Sequence, residues 1–172
     1  MSLAPSMVHE TDGGGSNALF LVFLLDDIRY ALRLAAVERV VRIVDIVPLP
    51  KAPSIIRGVI NLQGRILAVA DSRVRFGLPQ REIALTDQLI IARTARRPVA
   101  LLVDRAGEIF HVAGTEITDP TEILPRLDFI AGIVKRDDGT ILIHDLDHFL
   151  SLEEEEALDA VLATDLEVAD GR

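Results

Sequence analysis

The chain has 172 residues, 49% of them hydrophobic, no cysteine and a formal charge of −9. That length fits one domain, or one domain of two similar lobes, and the apolar share excludes a chain disordered throughout. The lack of cysteine excludes a disulfide scaffold or a thiolate site and fits a cytoplasmic protein, while the acidity argues against a nucleic-acid partner.

No apolar run is long enough to cross a bilayer, so no direct membrane insertion is expected. Residues 1–17 lack the basic and apolar blocks of a signal peptide and read as a disordered lead-in. The charge is unevenly spread: from Ser151 to Arg172 there are eight acids and one base, whereas Ala18 to Leu150 holds 17 of each. In that body every base is arginine except Lys51 and Lys135. Arginine's planar fork pairs and stacks with little hydration to lose, which suits a binding surface.

Strand patterns dominate. Leu19 to Leu25, Arg29 to Val37 and Val40 to Val47 are apolar, β-branched-rich runs of strand length. Pro48, Pro50 and Pro53 enforce an extended connector. Ser54 to Arg57 reads as one helical turn ended by Gly58. Val59 to Leu62 and Ile66 to Ala70 flank Gln63-Gly64, a hairpin turn. Ser72 to Phe76 suits a short helix with Gly77 past its end. Gln88 to Ala92, Val99 to Val103 and Glu108 to Val112 are further strands, and Pro120 to Pro125 is a second proline-bounded connector. Ile130 to Val134 and Ile141 to His144 flank the turn Asp137-Asp138-Gly139-Thr140. Ser151-Leu-Glu-Glu154 is a capping box, followed by a docking stripe of Leu158, Val161 and Leu162, with fraying expected beyond Ala163.

The halves repeat. Gly58 to Asp71 can be laid on Gly132 to Asp145: each reads Gly, apolar pair, hairpin turn, apolar strand, Asp. Tyr30-Ala-Leu-Arg-Leu likewise resembles Val99-Ala-Leu-Leu-Val. Two lobes with one strand order follow, of about five short strands each, closed into small barrels that hide their sheet edges. The expected layout is a domain over 18–150, with lobe one at about 25–87, lobe two at about 88–150 and a first strand able to cross between them. An acidic helix and tail take 151–172.

Catalytic signatures are missing: there is no GxSxG, no phosphate-cradle motif and no HExxH. His144-Asp-Leu-Asp-His148 is the one metal constellation to weigh. Its strand-end setting lacks the helical geometry that makes two histidines converge, so two partly exposed histidines beside a turn-capping Asp145 is the stronger reading. Asp71 and Asp145 hold equivalent places in the repeat, as helix caps do.

Three stretches, Tyr30 to Val41, Leu49 to Gly64 and Asp71 to Leu78, closely resemble the CheW family. So do Ala100 to Ile109, Ile130 to Val134 and Asp145 to Leu150. The resemblance covers Ala18 to about Leu162. It implies a mainly β fold of two SH3-like five-stranded β-barrel lobes with a short C-terminal helix, no catalysis and no cofactor. It also implies an adaptor that couples chemoreceptors to a CheA-type histidine kinase, cytoplasmic and recruited to membrane receptor arrays. The implied partners are the kinase's regulatory domain and the chemoreceptor's cytoplasmic tip. A stand-alone CheW-like scaffold in a non-motility two-component pathway is the alternative.

The expected partner-binding residues are Val37, Glu38, Val41, Gly58, Val59, Asn61, Leu62, Gln63, Gly64 and Arg65. Glu38, Arg39, Arg42, Arg57, Arg65, Arg73 and Arg75 would rim this surface. Gln63 stands where the family usually has Arg, and Arg65 is the residue placed to substitute. Ala68 and Ser72 replace the family's usual Pro and Leu.

Overall fold

The computed structural model describes residues 17–120 and 129–170, with side chains placed to residue 163. The lead-in before Asn17, most of the connector from Pro120 to Pro125 and the last two residues of the tail lie outside the described residues.

The described strands are β1 (Asn17–Leu25), β2 (Ile28–Arg33), β3 (Val37–Arg42), β4 (Ile56–Leu62), β5 (Arg65–Asp71), β6 (Gln88–Arg93), β7 (Pro98–Val103), β8 (Arg105–Ala113), β9 (Ile117–Thr118), β10 (Ile130–Arg136) and β11 (Gly139–His144). Two α-helices, α1 (Ser72–Arg75) and α2 (Leu152–Asp170), accompany them. Leu34–Ala36 winds a 3-10 turn where a continuous strand was expected. The strand read over Val40 to Val47 divides: β3 ends at Arg42, and Val47 makes a separate bridge to Val59. Ile56 and Arg57 belong to β4 rather than to a helical turn. The acidic helix is longer than its sequence suggests, running through Asp170.

The strands form two sheets, ordered β8-β1-β2-β11-β10-β9 and β3-β6-β7-β5-β4. Laid flat, a six-stranded sheet would set its edges about 24 Å apart. Yet the chain passes from the end of β8 at Ala113 to the start of β9 at Ile117, on the opposite edge, a span of at most about 14 Å. The sheet therefore curls. In the second sheet the chain beyond β3 crosses to β4, where Val47 and Val59 exchange hydrogen bonds of 2.9 and 2.8 Å.

The internal repeat is real in register as well as in sequence. β11 runs parallel to β2 with Leu142 opposite Tyr30, and β5 runs parallel to β7 with Ala68 opposite Val99, the equivalent pair. Both long hairpins carry a register shift at the same place, between Ile56 and Gly58 and between Ile130 and Gly132. The division of the chain differs from a cut near residue 87. Hairpin β1-β2 of the first repeat completes the sheet built by β8 to β11, and hairpin β6-β7 of the second completes the sheet built by β3 to β5. Repeated sequence identifies equivalent units, but it does not say with which copy each unit pairs.

Three cores result. One barrel is filled by Phe20, Val22, Ala31, Val112, Val134, Ile141 and Ile143. The other is filled by Ile60, Leu67, Val69, Leu89, Ile91, Ala100 and Leu102. Between them Leu21, Phe23, Tyr30 and Leu32 meet Ala68, Ala70, Ile90, Ala92, Val99 and Leu101. Alternate residues of β1 and β6 thus serve a barrel interior and the seam. That is why these strands read as unbroken apolar runs. Leu158, fully buried, seats α2 on the seam, and Arg97 ties its flank through Glu155 at 2.9 Å and through Asp159. The Ser151–Glu154 capping box forms as expected.

A charged knot ties the lobes at one end. Arg73, 7% exposed, reaches Asp26 of the β1-β2 turn and Asp104 of the β7-β8 corner, both at 2.6 Å. Arg81 holds the same Asp104 at 2.7 Å and grips Asp87 with two bonds. Asp71 caps α1 by accepting the Arg73 N–H at 2.9 Å. Asp145 departs from the expected cap: its carboxylate accepts no backbone bond within its 3-10 turn and instead lies 2.8 Å from His148 Nδ1.

Gly58 is where the crossing chain passes closest. A Cβ there would lie 2.2 Å from the Val47 carbonyl oxygen, at a φ of 152°. Gly58→Ala is expected to cost about 3 kcal/mol or more of folding stability, whereas an unstrained Gly→Ala change would gain up to about 1 kcal/mol. Urea denaturation measures it, and an unchanged midpoint would contradict the crossing.

Candidate functional site

The hairpin joining β4 to β5 closes through Gln63 and Gly64, with φ of 53° and 87°. Two left-handed residues make the turn whose twist matches the flanking strands. Asn61 Oδ1 accepts the Gly64 N–H at 2.8 Å and stiffens the tip. Strand β3 lies at the far edge of the same sheet, yet side chains bring it to this tip. Arg65 grips Glu38 with two bonds of 2.9 and 3.2 Å, and Arg39 Nη2 donates to Gln63 Oε1 at 3.1 Å. Arg93, at the end of β6, lies 3.9 Å from Glu38. Hydrogen bonding from Arg65 holds the Glu38 carboxyl below its ordinary range.

The ten expected contact residues therefore divide. Val37, Glu38, Val59, Asn61, Gln63, Gly64 and Arg65 are exposed or half-buried on the β3 and hairpin surface. Val41 and Leu62 pack against the barrel core, and Gly58 is buried under the crossing chain, so these three support the surface from inside. The expected rim also divides. Arg57 pairs with Asp71 at 3.2 Å, Arg73 belongs to the charged knot, and Arg75 pairs with Glu154 and lies over the rings of Phe129 and Phe149. Arg33 and Arg93 went unsingled in the sequence. They line a hollow of about 330 Å³ with Leu32, Ala36, His144 and Asp147. The only signal for Arg93 is the strand order, since 55 residues separate it from its partner Glu38.

Residues 19–154 match the model of the CheW-like domain. The chain belongs to the CheW-like family. "Chemotaxis protein CheW" of Rhizobium meliloti is 29% identical over 87% of this chain and 96% of that protein. The protein of the same name from Thermotoga maritima is 30% identical over 76% of this chain and 85% of its own length. The crystal structure of scaffolding protein TtCheW from Thermoanaerobacter tengcongensis superposes with a TM-score of 0.73 at 30% identity, covering 80% of this chain and 94% of that one.

Within this CheW-like frame, Arg65 pairs with Glu38 while Gln63 accepts a bond from Arg39 through a neutral oxygen. Ala68 is buried in the seam, and Ser72 is buried at the start of α1.

The two histidines weighed as metal ligands occupy different surroundings: His148 is largely exposed beside Asp145, whereas His144 is buried. The His144 ring sits among Phe23, Phe76 and Phe149 at centroid distances of 6.3, 5.1 and 4.7 Å, and among the described residues neither nitrogen has a hydrogen-bond partner. Burial, aided by Arg75, pushes its pKa down to about 3 from the ordinary 6.5.

Between these values the unfolded chain binds the proton that the folded one refuses. The stability is fully present above about pH 6.5 and is lost as pH falls, by about 2 kcal/mol at pH 5. His144→Leu should abolish this slope between pH 6.5 and 5 in urea denaturation. An unchanged slope would mean the ring is not the source. The carboxylates held low by arginines, Asp26, Glu38, Asp87 and Asp138, contribute their loss at lower pH.

Proposed function

We propose that this chain is a non-catalytic adaptor that couples chemoreceptors to a CheA-type histidine kinase in bacterial chemotaxis. The observation that carries this is the near full-length match to proteins named for chemotaxis, together with a shared fold with a protein titled a scaffold. The site geometry supports it: the β3 and hairpin surface is a braced, partly apolar face rather than a pocket of converging reactive groups. Val37, Glu38, Val59, Asn61, Gln63, Gly64 and Arg65 are its contacts, and Val41, Gly58 and Leu62 hold them in place.

The partners are the kinase's regulatory domain and the cytoplasmic tip of a chemoreceptor. Among the described residues no helix is long and apolar enough to cross a membrane, so the adaptor reaches membrane receptor arrays by binding their cytoplasmic parts. Single contacts of this kind are of about micromolar strength, and linkage within an array multiplies them.

Val37 is half-buried at the start of β3 with part of its side chain against the seam core, and Val37→Asp places a charge there. It should weaken binding to the cognate kinase's regulatory domain by about tenfold or more in calorimetric titration. Failure of the wild-type protein to bind either that domain or a receptor-tip fragment would overturn the adaptor reading and leave the stand-alone scaffold.

A further inference from the structure

We propose that the arginine cluster around Glu38 receives the acidic face of a protein partner, with Arg39 and Arg93 as its anion-binding residues. The proposal deepens the adaptor reading and rests on it for the partner's identity.

The cluster contrasts with the arginines that tie the fold together. Arg73 is matched by Asp26 and Asp104, Arg81 by Asp87 and Asp104, and Arg97 by Glu155 and Asp159. Around Glu38 the ratio is reversed. Arg65 occupies that carboxylate with two bonds, and Arg93 stands 3.9 Å from it. Arg39 finds only the neutral Gln63 oxygen. The adjoining hollow is mixed in charge: Arg33 and Arg93 line it together with Asp145 and Asp147, so the excess of positive charge lies on the Glu38 side of Arg93. Among the described residues, Glu38 is the only carboxylate paired with Arg39, Arg65 or Arg93. These four side chains together carry +2 on a chain whose net charge is −9.

Each guanidinium has five N–H donors in a planar fork suited to carboxylates. Arg39 uses one of its donors in the protein, on Gln63, and the Arg93 side chain is 64% exposed. Three guanidiniums around one carboxylate leave positive charge uncompensated, so an entering carboxylate gains attraction from Arg39 and Arg93 together. Glu38 fixes Arg65 as a strut, which leaves Arg39 and Arg93 to either side with donors to spare.

The surroundings select a protein anion. The net charge of the chain repels polyanions at long range, whereas a local patch steers an acidic protein face in one orientation. The half-buried Val37 and the hollow lined by Leu32 and Ala36 offer apolar contact beside the arginines. Carboxylates next to apolar side chains are what a folded protein surface supplies.

The test titrates the cognate kinase regulatory domain and, separately, a receptor-tip fragment into full-length wild type, Arg39→Glu, Arg93→Glu and a control, Arg105→Glu. Arg105 is exposed at the start of β8, in the other sheet. Measurements run at low and high NaCl. Arg39→Gln and Arg93→Gln, with circular dichroism, separate lost charge from lost fold. One partner should lose at least about tenfold in affinity with either Glu variant, less with the Gln variants and nothing with the control, and its wild-type binding should weaken with salt. Affinities within twofold of wild type for both partners would overturn the proposal while leaving the adaptor reading intact. If wild type binds neither partner, the adaptor reading fails, and titration with hexaglutamate decides the patch. Saturable shifts of the Arg39 and Arg93 side-chain NMR signals sustain it, and their absence overturns it.

Discussion

The seam between the two curled sheets is the constraint on which everything else depends. Strands β1, β2, β6 and β7 each bury one face in a barrel and the other against the opposite lobe. Separating the lobes would expose Phe23, Tyr30, Leu32, Ile90 and Leu101 to water, at about 1.5–3 kcal/mol for each large side chain. The exchange of hairpins makes separation still harder, because each barrel is completed by strands from the other repeat. The lobes therefore present their outer surfaces in a set relation. An adaptor that must hold two proteins together needs such a relation.

Functional geometry is built on the same seam. β3 is an edge strand, and its polar backbone edge would invite uncontrolled pairing. The Glu38–Arg65 and Arg39–Gln63 bridges lash it to the β4-β5 hairpin tip. The result is a stiff surface that costs little ordering entropy when a partner lands. Glu38 is held by Arg65, while Arg39 meets only the neutral oxygen of Gln63.

Charge is distributed by role. The knot of Arg73, Arg81, Asp26, Asp87 and Asp104 is dense, matched and structural. The clamp of Arg97 on Glu155 and Asp159 is likewise matched and seats α2. The cluster beside the hairpin sets three arginines around a single carboxylate. His144 extends the contrast to the interior: an aromatic surround keeps it neutral.

Most of the strands, the Gln63-Gly64 turn, the capping box and the equivalence of Gly58 to Asp71 with Gly132 to Asp145 are legible in the amino-acid sequence alone. These are local matters of periodicity and turn chemistry, and they reach the reader through residues close in the chain. The sequence also pointed to β3 and the Gln63-Gly64 tip as one surface, and to Arg65 as the residue to stand in for the missing arginine. Which repeat supplies each hairpin is settled by packing across the seam, because equivalent units satisfy either pairing locally. Only the tertiary structure could sort the arginines. Arg57, Arg73 and Arg75 look like Arg39 in the sequence, but the carboxylates that neutralise Arg73 and Arg75 lie from 31 to 79 residues away and meet them through packing alone.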